Sequence, residues 1–215
     1  MSARINLLKI AQTFGSASQS YDNSARLQRY SGQKLLSWLP EKTDLTVLDL
    51  GSGTGYFTEL LAEKYQSVIG LDLSNSMLQF AQNERTDGIH WLQADAHKLP
   101  FQDESIDLIY SNLMIQWCDP LDDTLQEIRR ILKPGGSFIF ATLIDGTLHE
   151  LKYAWAQVDN DQHVIDFKTE DELTDIFNSP QSKLIEHQVK DIILEYESVL
   201  HLAHELKGLG ANQIP

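Results

Sequence analysis

The chain has 215 residues, of which 42% are hydrophobic and 22% are charged, a composition typical of a soluble globular protein with room for one full α/β domain. Its formal net charge of −14 disfavours nucleic-acid phosphates and anionic lipids as partners. We see neither an apolar run approaching the ~18 residues of a membrane span nor a signal peptide. The single cysteine, Cys118, excludes an internal disulfide framework and fits a reducing compartment. We therefore expect a cytoplasmic protein.

Apolar residues at helical spacing predict two amino-terminal helices, over 5–14 and 23–39. Strands and helices then alternate along the chain. The predicted strands are 46–51, 67–73, 89–95, 106–112 and 136–143, and the helices between them are 55–64, 75–84 and 119–132. Ser74 can cap the second of these helices, and the Lys-Pro-Gly-Gly run at 133–136 should stop the third. Such alternation predicts a parallel sheet covered by helices on both faces.

The pattern changes after residue 143. Helical spacing predicts helices near 147–158, 169–178 and 197–207, and residues 184–196 have the composition of a long strand. We find no internal repeat.

The stretch VLDLGSGTG, residues 47–55, carries the clearest local signal. A strand that ends in Gly-x-Gly and leads into a helix points bare backbone N–H groups at a ligand. The dinucleotide fingerprint requires a third glycine where this chain has Tyr56, and a P-loop requires a lysine that is absent here. The loop therefore favours a nucleotide-like ligand of another kind.

Polar residues mark the ends of the neighbouring strands. Because the carboxyl ends of parallel strands meet at one edge, we expect these residues to lie together. Asp72 can accept hydrogen bonds from both hydroxyls of a ribose, and Asp95 can accept one from the amine of adenine. Asn112 ends the fourth strand at the same edge, and Asp49 can receive an ammonium group. An acidic edge suits a positively charged cofactor better than a diphosphate.

This combination resembles the class I S-adenosylmethionine-dependent methyltransferases. The resemblance covers roughly residues 45–143. The motifs that carry it are LDLGSGTG, GLDLS, ADAHKLPF, DLIYSN and ILKPGG. It implies a Rossmann-like, mostly parallel sheet with S-adenosylmethionine as cofactor. Gly51 and Gly53 would contact its methionine part, Asp72 its ribose and Met77 its adenine, whose edge Asp95 and the Ala96 amide would read. The full candidate cofactor set is Tyr21, Asp49, Gly51, Ser52, Gly53, Asp72, Leu73, Met77, Asp95, Ala96 and Asn112.

Further motifs resemble the malonyl-[acyl-carrier protein] O-methyltransferase family of biotin synthesis. They are FGSASQSYDNSARLQRYSGQKLL (14–36), SNLMIQWCDPL (111–121), TLIDGTLHELKYAWAQVD (142–159) and HELKGLGAN (204–212). This resemblance implies an amino-terminal helical lid over 1–40, from which Tyr21 closes over the cofactor, and a methyltransferase domain over 41–215. It also implies further chain beyond LKGLGA, so we expect the last strand of the sheet to be missing here.

The implied reaction methylates the free carboxylate of a malonyl thioester, on an acyl-carrier protein or on coenzyme A. Because that carboxylate is already ionised near pH 7, we expect catalysis by positioning, with no acid–base residue. We also expect no metal site, because His201 and His204 have no evident third ligand. The candidates for the substrate face are Gln116, Trp117, His204 and Lys207. His204 occupies a place where the family usually has arginine.

Two other functions stay open from the sequence. The chain could methylate another small metabolite, such as a quinone precursor or another carboxylic acid, or it could bind S-adenosylmethionine without catalysis. We expect a monomer.

Overall fold

A computed structural model of the chain describes residues 7–180 and 182–211. The ends of the two expected domains, at residues 1 and 215, and the first two residues of the predicted helix 5–14 lie outside these ranges. The helices within them are α1 (Leu7–Ser16), α2 (Ser18–Ser24), α3 (Arg26–Leu36), α4 (Tyr56–Lys64), α5 (Asn75–Glu84), α6 (Leu121–Ile131), α7 (His149–Trp155), α8 (Glu170–Phe177) and α9 (Val199–Gly208), with a 3₁₀ turn at Ile115–Trp117.

Five parallel strands form the sheet, as the alternating pattern predicts. They are β1 (Thr46–Leu50), β2 (Ser67–Asp72), β3 (His90–Gln93), β4 (Ile106–Asn112) and β5 (Leu132–Ala141). Their order is β3-β2-β1-β4-β5. The chain winds outward from β1 in one direction and then crosses back to β4. This reversal leaves a crevice beyond the carboxyl ends of β1 and β4, where open α/β sheets bind ligands.

Alternating side chains of the central strands build the core on both faces of the sheet. Leu48 and Ile109 belong to the cluster that packs against α6 and α8. Val47, Leu108 and Tyr110 point to the opposite face, among side chains of α3 and α4. Burial of each aliphatic side chain stabilises the fold by about 1.5–3 kcal/mol. The sheet is therefore a rigid base for the loops at its carboxyl edge.

Two of the differences between predicted and observed element bounds have a clear physical cause. The helix predicted over 23–39 is two helices, α2 and α3, because the chain turns at Ala25, whose side chain is buried. β5 begins at Leu132, ahead of the predicted start at 136. The pairing skips from Ile106–Leu132 to Leu108–Ser137, and this irregularity accommodates Pro134, which cannot donate a ladder hydrogen bond.

The predicted strand over 184–196 is wrong, because the structure gives residues 183–196 no strand. A strand requires a partner for its backbone groups, and β5 pairs only with β4 in the described sheet. Leu184 packs against the core beside the sheet, but other apolar residues that suggested a strand face solvent, with Ile185 and Ile193 both 85% exposed.

The carboxyl-terminal helix α9 packs against the amino-terminal helix α2. Ser20 of α2 donates a hydrogen bond to the carbonyl of Gly208 (3.1 Å), and Arg26 of α3 pairs with Glu205 (2.8 Å). The amino-terminal helices are thus held between the sheet domain and α9. No helix in the described ranges is long and apolar enough to cross a membrane.

Candidate cofactor site at the carboxyl edge of the sheet

The loop between β1 and α4, residues 51–55, is the centre of the candidate site, and we call it the glycine loop. Its backbone is folded back onto β2, because the N–H groups of Gly51 and Ser52 both donate to the carbonyl of Leu71 (2.8 and 2.9 Å). The three glycines all have positive φ, a conformation that L side chains rarely adopt.

The three glycines of the loop lack side chains for two different reasons. A Cβ atom at Gly53 would meet nothing within 4 Å, so its face is open to a ligand. A Cβ at Gly51 would lie 2.4 Å from the side chain of Met114, and one at Gly55 would lie 2.4 Å from Trp91. Gly55 therefore permits close packing, whereas Gly53 lines the open space.

Asp72, at the end of β2, is bound to the glycine loop. Its Oδ2 accepts from the N–H of Gly53 (2.9 Å), and its Oδ1 accepts from the N–H of Ser74 (2.7 Å). Burial raises the pKa of Asp72, although these backbone hydrogen bonds oppose the shift. Burial, and then the charge of Asp72, raise the pKa of Tyr21 on α2, so this phenol is neutral.

Asp49 lies beneath the glycine loop with 3% of its surface exposed. Its Oδ2 accepts a hydrogen bond from the hydroxyl of Thr58 on α4 (2.6 Å). Burial raises its pKa to about 7; the Thr58 bond opposes this shift and the charge of Asp72 adds to it. Asp49 therefore changes charge in the physiological range, and a cation beside it would favour the ionised form.

Asp95 follows β3 in a short turn that continues through Ala96. Its Oδ1 accepts from the N–H of His97 (2.9 Å) and contacts His97 Nδ1 (2.7 Å), while 41% of the Asp95 side chain remains exposed. His97 was not predicted as a site residue. It orients the carboxylate of Asp95, and the only sequence signal for this contact is the two-residue spacing of an Asx-type turn.

Asn112 ends β4, but its side-chain amide is hydrogen-bonded to α3. Its Oδ1 accepts from the hydroxyl of Ser31 (2.7 Å), and its Nδ2 donates to the carbonyl of Gln28 (2.9 Å).

Met77 and Leu73 also differ in their access to the crevice. Met77 is 1% exposed and packs in the core, whereas Leu73 is half-buried with its carbonyl bonded to Gln93 (3.1 Å).

The candidates for the substrate face occupy two separate places. Trp117 packs edge-on against Phe14 of α1 (5.4 Å between ring centroids), and Gln116 is bonded to Thr142 (3.2 Å) beside the end of β5. His204 and Lys207 line a groove of about 520 Å³ between α1, α2 and α9. Since Asp22 of α2 accepts a hydrogen bond from Thr54 of the glycine loop and Ser20 of α2 lines the groove, α2 lies between the two.

The residues fit the cofactor that the sequence implies. The hydroxyl of Ser52 in the glycine loop is buried and has no partner among the described residues, and the space beside Gly53 is open. Asp49 and Asp72 supply negative charge for a cation. No group of three or more metal-binding side chains occurs in the ranges that the structure describes.

A parallel sheet with a glycine loop after β1 and a carboxylate at the end of β2 is the arrangement of nucleotide-binding α/β proteins, among which are the class I S-adenosylmethionine-dependent methyltransferases. Comparison with known proteins agrees. The family described as methyltransferase domain matches residues 48–140. An S-adenosylmethionine-dependent methyltransferase structure from Mesorhizobium loti is 36% identical, with a TM-score of 0.50 over 52% of this chain and 53% of that chain.

Two curated relatives define the family more narrowly. The chain is 40% identical to a malonyl-[acyl-carrier protein] O-methyltransferase from Pectobacterium atrosepticum, over 96% of this chain and 80% of that protein. It is 41% identical to the biotin biosynthesis bifunctional protein BioHC from Cellvibrio japonicus, over 100% of this chain and 43% of that longer protein. The chain belongs to the malonyl-[acyl-carrier protein] O-methyltransferase family, and its cofactor is S-adenosylmethionine.

Proposed function

We propose that this chain transfers a methyl group to the free carboxylate of a malonyl thioester carried on an acyl-carrier protein, as a step of biotin synthesis. The observation that carries the proposal is the 40% identity to the Pectobacterium atrosepticum enzyme over nearly the whole chain. When bound, S-adenosylmethionine supplies an activated methyl group on a sulfonium.

The side chains at the candidate site support catalysis by positioning. The acceptor carboxylate is ionised near pH 7 and needs no base to activate it. Tyr21 cannot serve as a base near neutral pH, because burial and the charge of Asp72 raise its pKa. It would instead remain protonated and donate a hydrogen bond. The carboxylates of Asp49 and Asp72 would hold and balance the positive charge of the cofactor.

The amino-terminal helices would exclude water from the reacting atoms. We propose residues 1–40 as a lid, which aromatic contacts support: Phe14 packs on Trp117, and Tyr21 lies 6.4 Å from Phe14 between ring centroids. An environment with little water strengthens electrostatic interactions with the transferred group and keeps the two reactants aligned. The contacts of α9 with α2 and α3 suggest that the lid also includes α9.

Mass spectrometry tests the proposed reaction directly. Malonyl-acyl-carrier protein incubated with the chain and S-adenosylmethionine should gain the mass of one methylene group, and acetyl-acyl-carrier protein, which lacks the free carboxylate, should gain none. Malonyl-coenzyme A in parallel tests the other carrier. Methylation of both acyl-carrier proteins, or of neither, would refute malonyl selectivity.

The groove beside α9 is our proposed approach for the carrier protein. An acidic carrier requires a local cation on an enzyme of net charge −14, and Lys207 is exposed in the groove without a partner among the described residues. Arg129 lies in the last turn of α6, which leads to the start of β5 at the opposite edge of the sheet.

Charge reversal at these two positions separates the two surfaces. We expect Lys207→Glu to raise KM for the carrier-linked substrate about tenfold at low salt, and less at high salt, while Arg129→Glu changes it little. Equal effects of the two reversals would refute this docking surface. A monomeric, cytoplasmic enzyme stays a prediction that gel filtration and cell fractionation can test.

A further inference from the structure

A ring of three residues fastens α2 to the glycine loop. Asp22 of α2 accepts a hydrogen bond from the hydroxyl of Thr54 (2.6 Å) and is paired with the guanidinium of Arg85, just after α5. Arg85 closes the ring, because its Nε donates to the carbonyl of Thr54 (2.9 Å). The ring thus joins three parts of the chain that are far apart in sequence.

The ring is shielded from solvent, unlike most ion pairs at a protein surface. Thr54 is 2% exposed, and the side chains of Asp22 and Arg85 are 23% and 13% exposed. Exposed pairs contribute little to stability, because water and salt screen them, whereas a shielded pair with several hydrogen bonds is costly to break on one side. A second cation, Arg29, lies 3.7 Å from Asp22 and stacks on Tyr56.

The ring shares its backbone with the candidate cofactor site. Thr54 lies directly after Gly53, whose N–H is bonded to Asp72 and whose open face lines the crevice. Tyr21, next to Asp22 on α2, is close enough to Asp72 for that carboxylate to raise its pKa. The loop that would hold the cofactor and the helix that would cover it are therefore fixed by the same side chain.

We propose that Asp22 is a positioning residue for the cofactor: by binding Thr54 and Arg85 it couples closure of α2 to the conformation of the glycine loop. This rests on the assignment of that loop as the cofactor site. If only the closed arrangement binds tightly, the apparent Kd rises in proportion to the loss of the closed population. Asp22 touches neither the open face of Gly53 nor the methyl group to be transferred, so it acts through the loop.

Three single variants, one double variant and a matched control test the coupling by calorimetry with S-adenosylhomocysteine. We expect Asp22→Ala to raise Kd about tenfold, and Asp22→Asn about threefold, because the amide oxygen still accepts from Thr54. Thr54→Val, which also removes the hydrogen bond between Thr54 and Asp22, should raise Kd about threefold. The double variant Asp22→Ala/Thr54→Val should bind no more weakly than Asp22→Ala, because both changes break one ring. The control is Asp107→Ala, which removes a carboxylate of equal exposure (23%) that pairs with Lys133 at the other edge of the sheet.

Hydrogen exchange and kinetics together separate a loss of this coupling from a loss of global stability. In the ligand-free protein, Asp22→Ala should speed exchange of the α2 amides (Ser18–Ser24) while those of β1 (Thr46–Leu50) keep their protection. In turnover assays KM for S-adenosylmethionine should rise, with kcat at saturating cofactor nearly unchanged.

The coupling is overturned if Asp22→Ala binds within twofold of the unchanged protein, if the effects of Asp22→Ala and Thr54→Val add, or if Asp107→Ala weakens binding as much. If the glycine loop is not a cofactor site, the unchanged protein itself should not bind S-adenosylhomocysteine, which distinguishes this failure from a failure of the coupling. An Asp22→Ala chain that fails to fold leaves the decision to Asp22→Asn and Thr54→Val, which keep side-chain size.

Discussion

The carboxyl edge of β1, β2 and β4 and the region after residue 142 are built on different principles. At the sheet edge, short loops are held by hydrogen bonds between neighbours, such as those of Asp72 to Gly53 and Ser74. After residue 142 no strand of the sheet is described, and apolar side chains such as Ile193 and Val199 are 85% and 76% exposed. The five strands predicted up to residue 143 pair within the sheet and are found, whereas the strand predicted over 184–196 has no described partner and is absent.

The largest expected effect tests the open face of the glycine loop. We expect Gly53→Val to abolish measurable cofactor binding, because a branched side chain at φ +54° would fill the space where the ligand must lie. Gly88→Val is the matched control, since Gly88 also has positive φ (+93°) and open space, but in the turn before β3. Calorimetry and thermal unfolding of both variants should show similar losses of stability. Normal binding by Gly53→Val would show that the loop does not face the ligand.

Truncation of one isoleucine in each region measures the contrast in packing. Ile109 of β4 is 0% exposed, and we expect Ile109→Ala to lower the free energy of unfolding by about 2–5 kcal/mol. Ile193→Ala removes the same atoms from a side chain that is 85% exposed, and should lower it by less than about 0.5 kcal/mol. Urea titration compares the two. A large loss for Ile193→Ala would mean that residues 183–196 are packed in solution.

The carboxylate of Asp72 holds the glycine loop and is the predicted partner of the ribose, and comparison with a control carboxylate separates these two roles. Asp72→Ala removes two backbone hydrogen bonds and the predicted partner of the ribose, so we expect cofactor affinity to fall by about 2–4 kcal/mol. Asp107→Ala also removes a carboxylate bonded to a backbone N–H, that of Thr46 (3.0 Å), but lies away from the crevice. The Asp107→Ala variant should bind the cofactor with unchanged affinity. Equal affinity losses in calorimetry would assign Asp72 a structural role alone.

Asp49 should make cofactor binding depend on pH. Burial raises its pKa to about 7, so the folded state binds more protons than the unfolded state between about pH 4 and 7. Its contribution to stability is therefore present at low pH and is lost as pH rises through 7. A bound cation favours the ionised form, so affinity should rise about tenfold from pH 6 to pH 8.

The control for this pH dependence is Asp49→Asn, which has no charge to change. Its cofactor affinity should be weaker and nearly flat across the same pH range, and it should stabilise the ligand-free protein at pH 8. A pH profile that is as steep in Asp49→Asn as in the unchanged chain would assign the titration to another group.

The sequence by itself determined the parallel sheet, the glycine loop and its family. These follow from short-range signals: strand and helix periodicity, and glycines placed where φ must be positive. The position of Ser74 likewise predicts its cap on α5, which the structure confirms through its contact with the N–H of Met77 (3.4 Å).

Only the tertiary structure decided which side chains can contact a ligand and which are already hydrogen-bonded or buried within the protein. The amide of Asn112, expected at the crevice, is bonded to α3, while Met77 is buried in the core. The ring around Asp22 joins positions 32 and 63 residues apart, so no local pattern could predict it. Residues 183–196 show the same limit, because an apolar pattern indicates which side chains favour burial but cannot specify the surface that buries them.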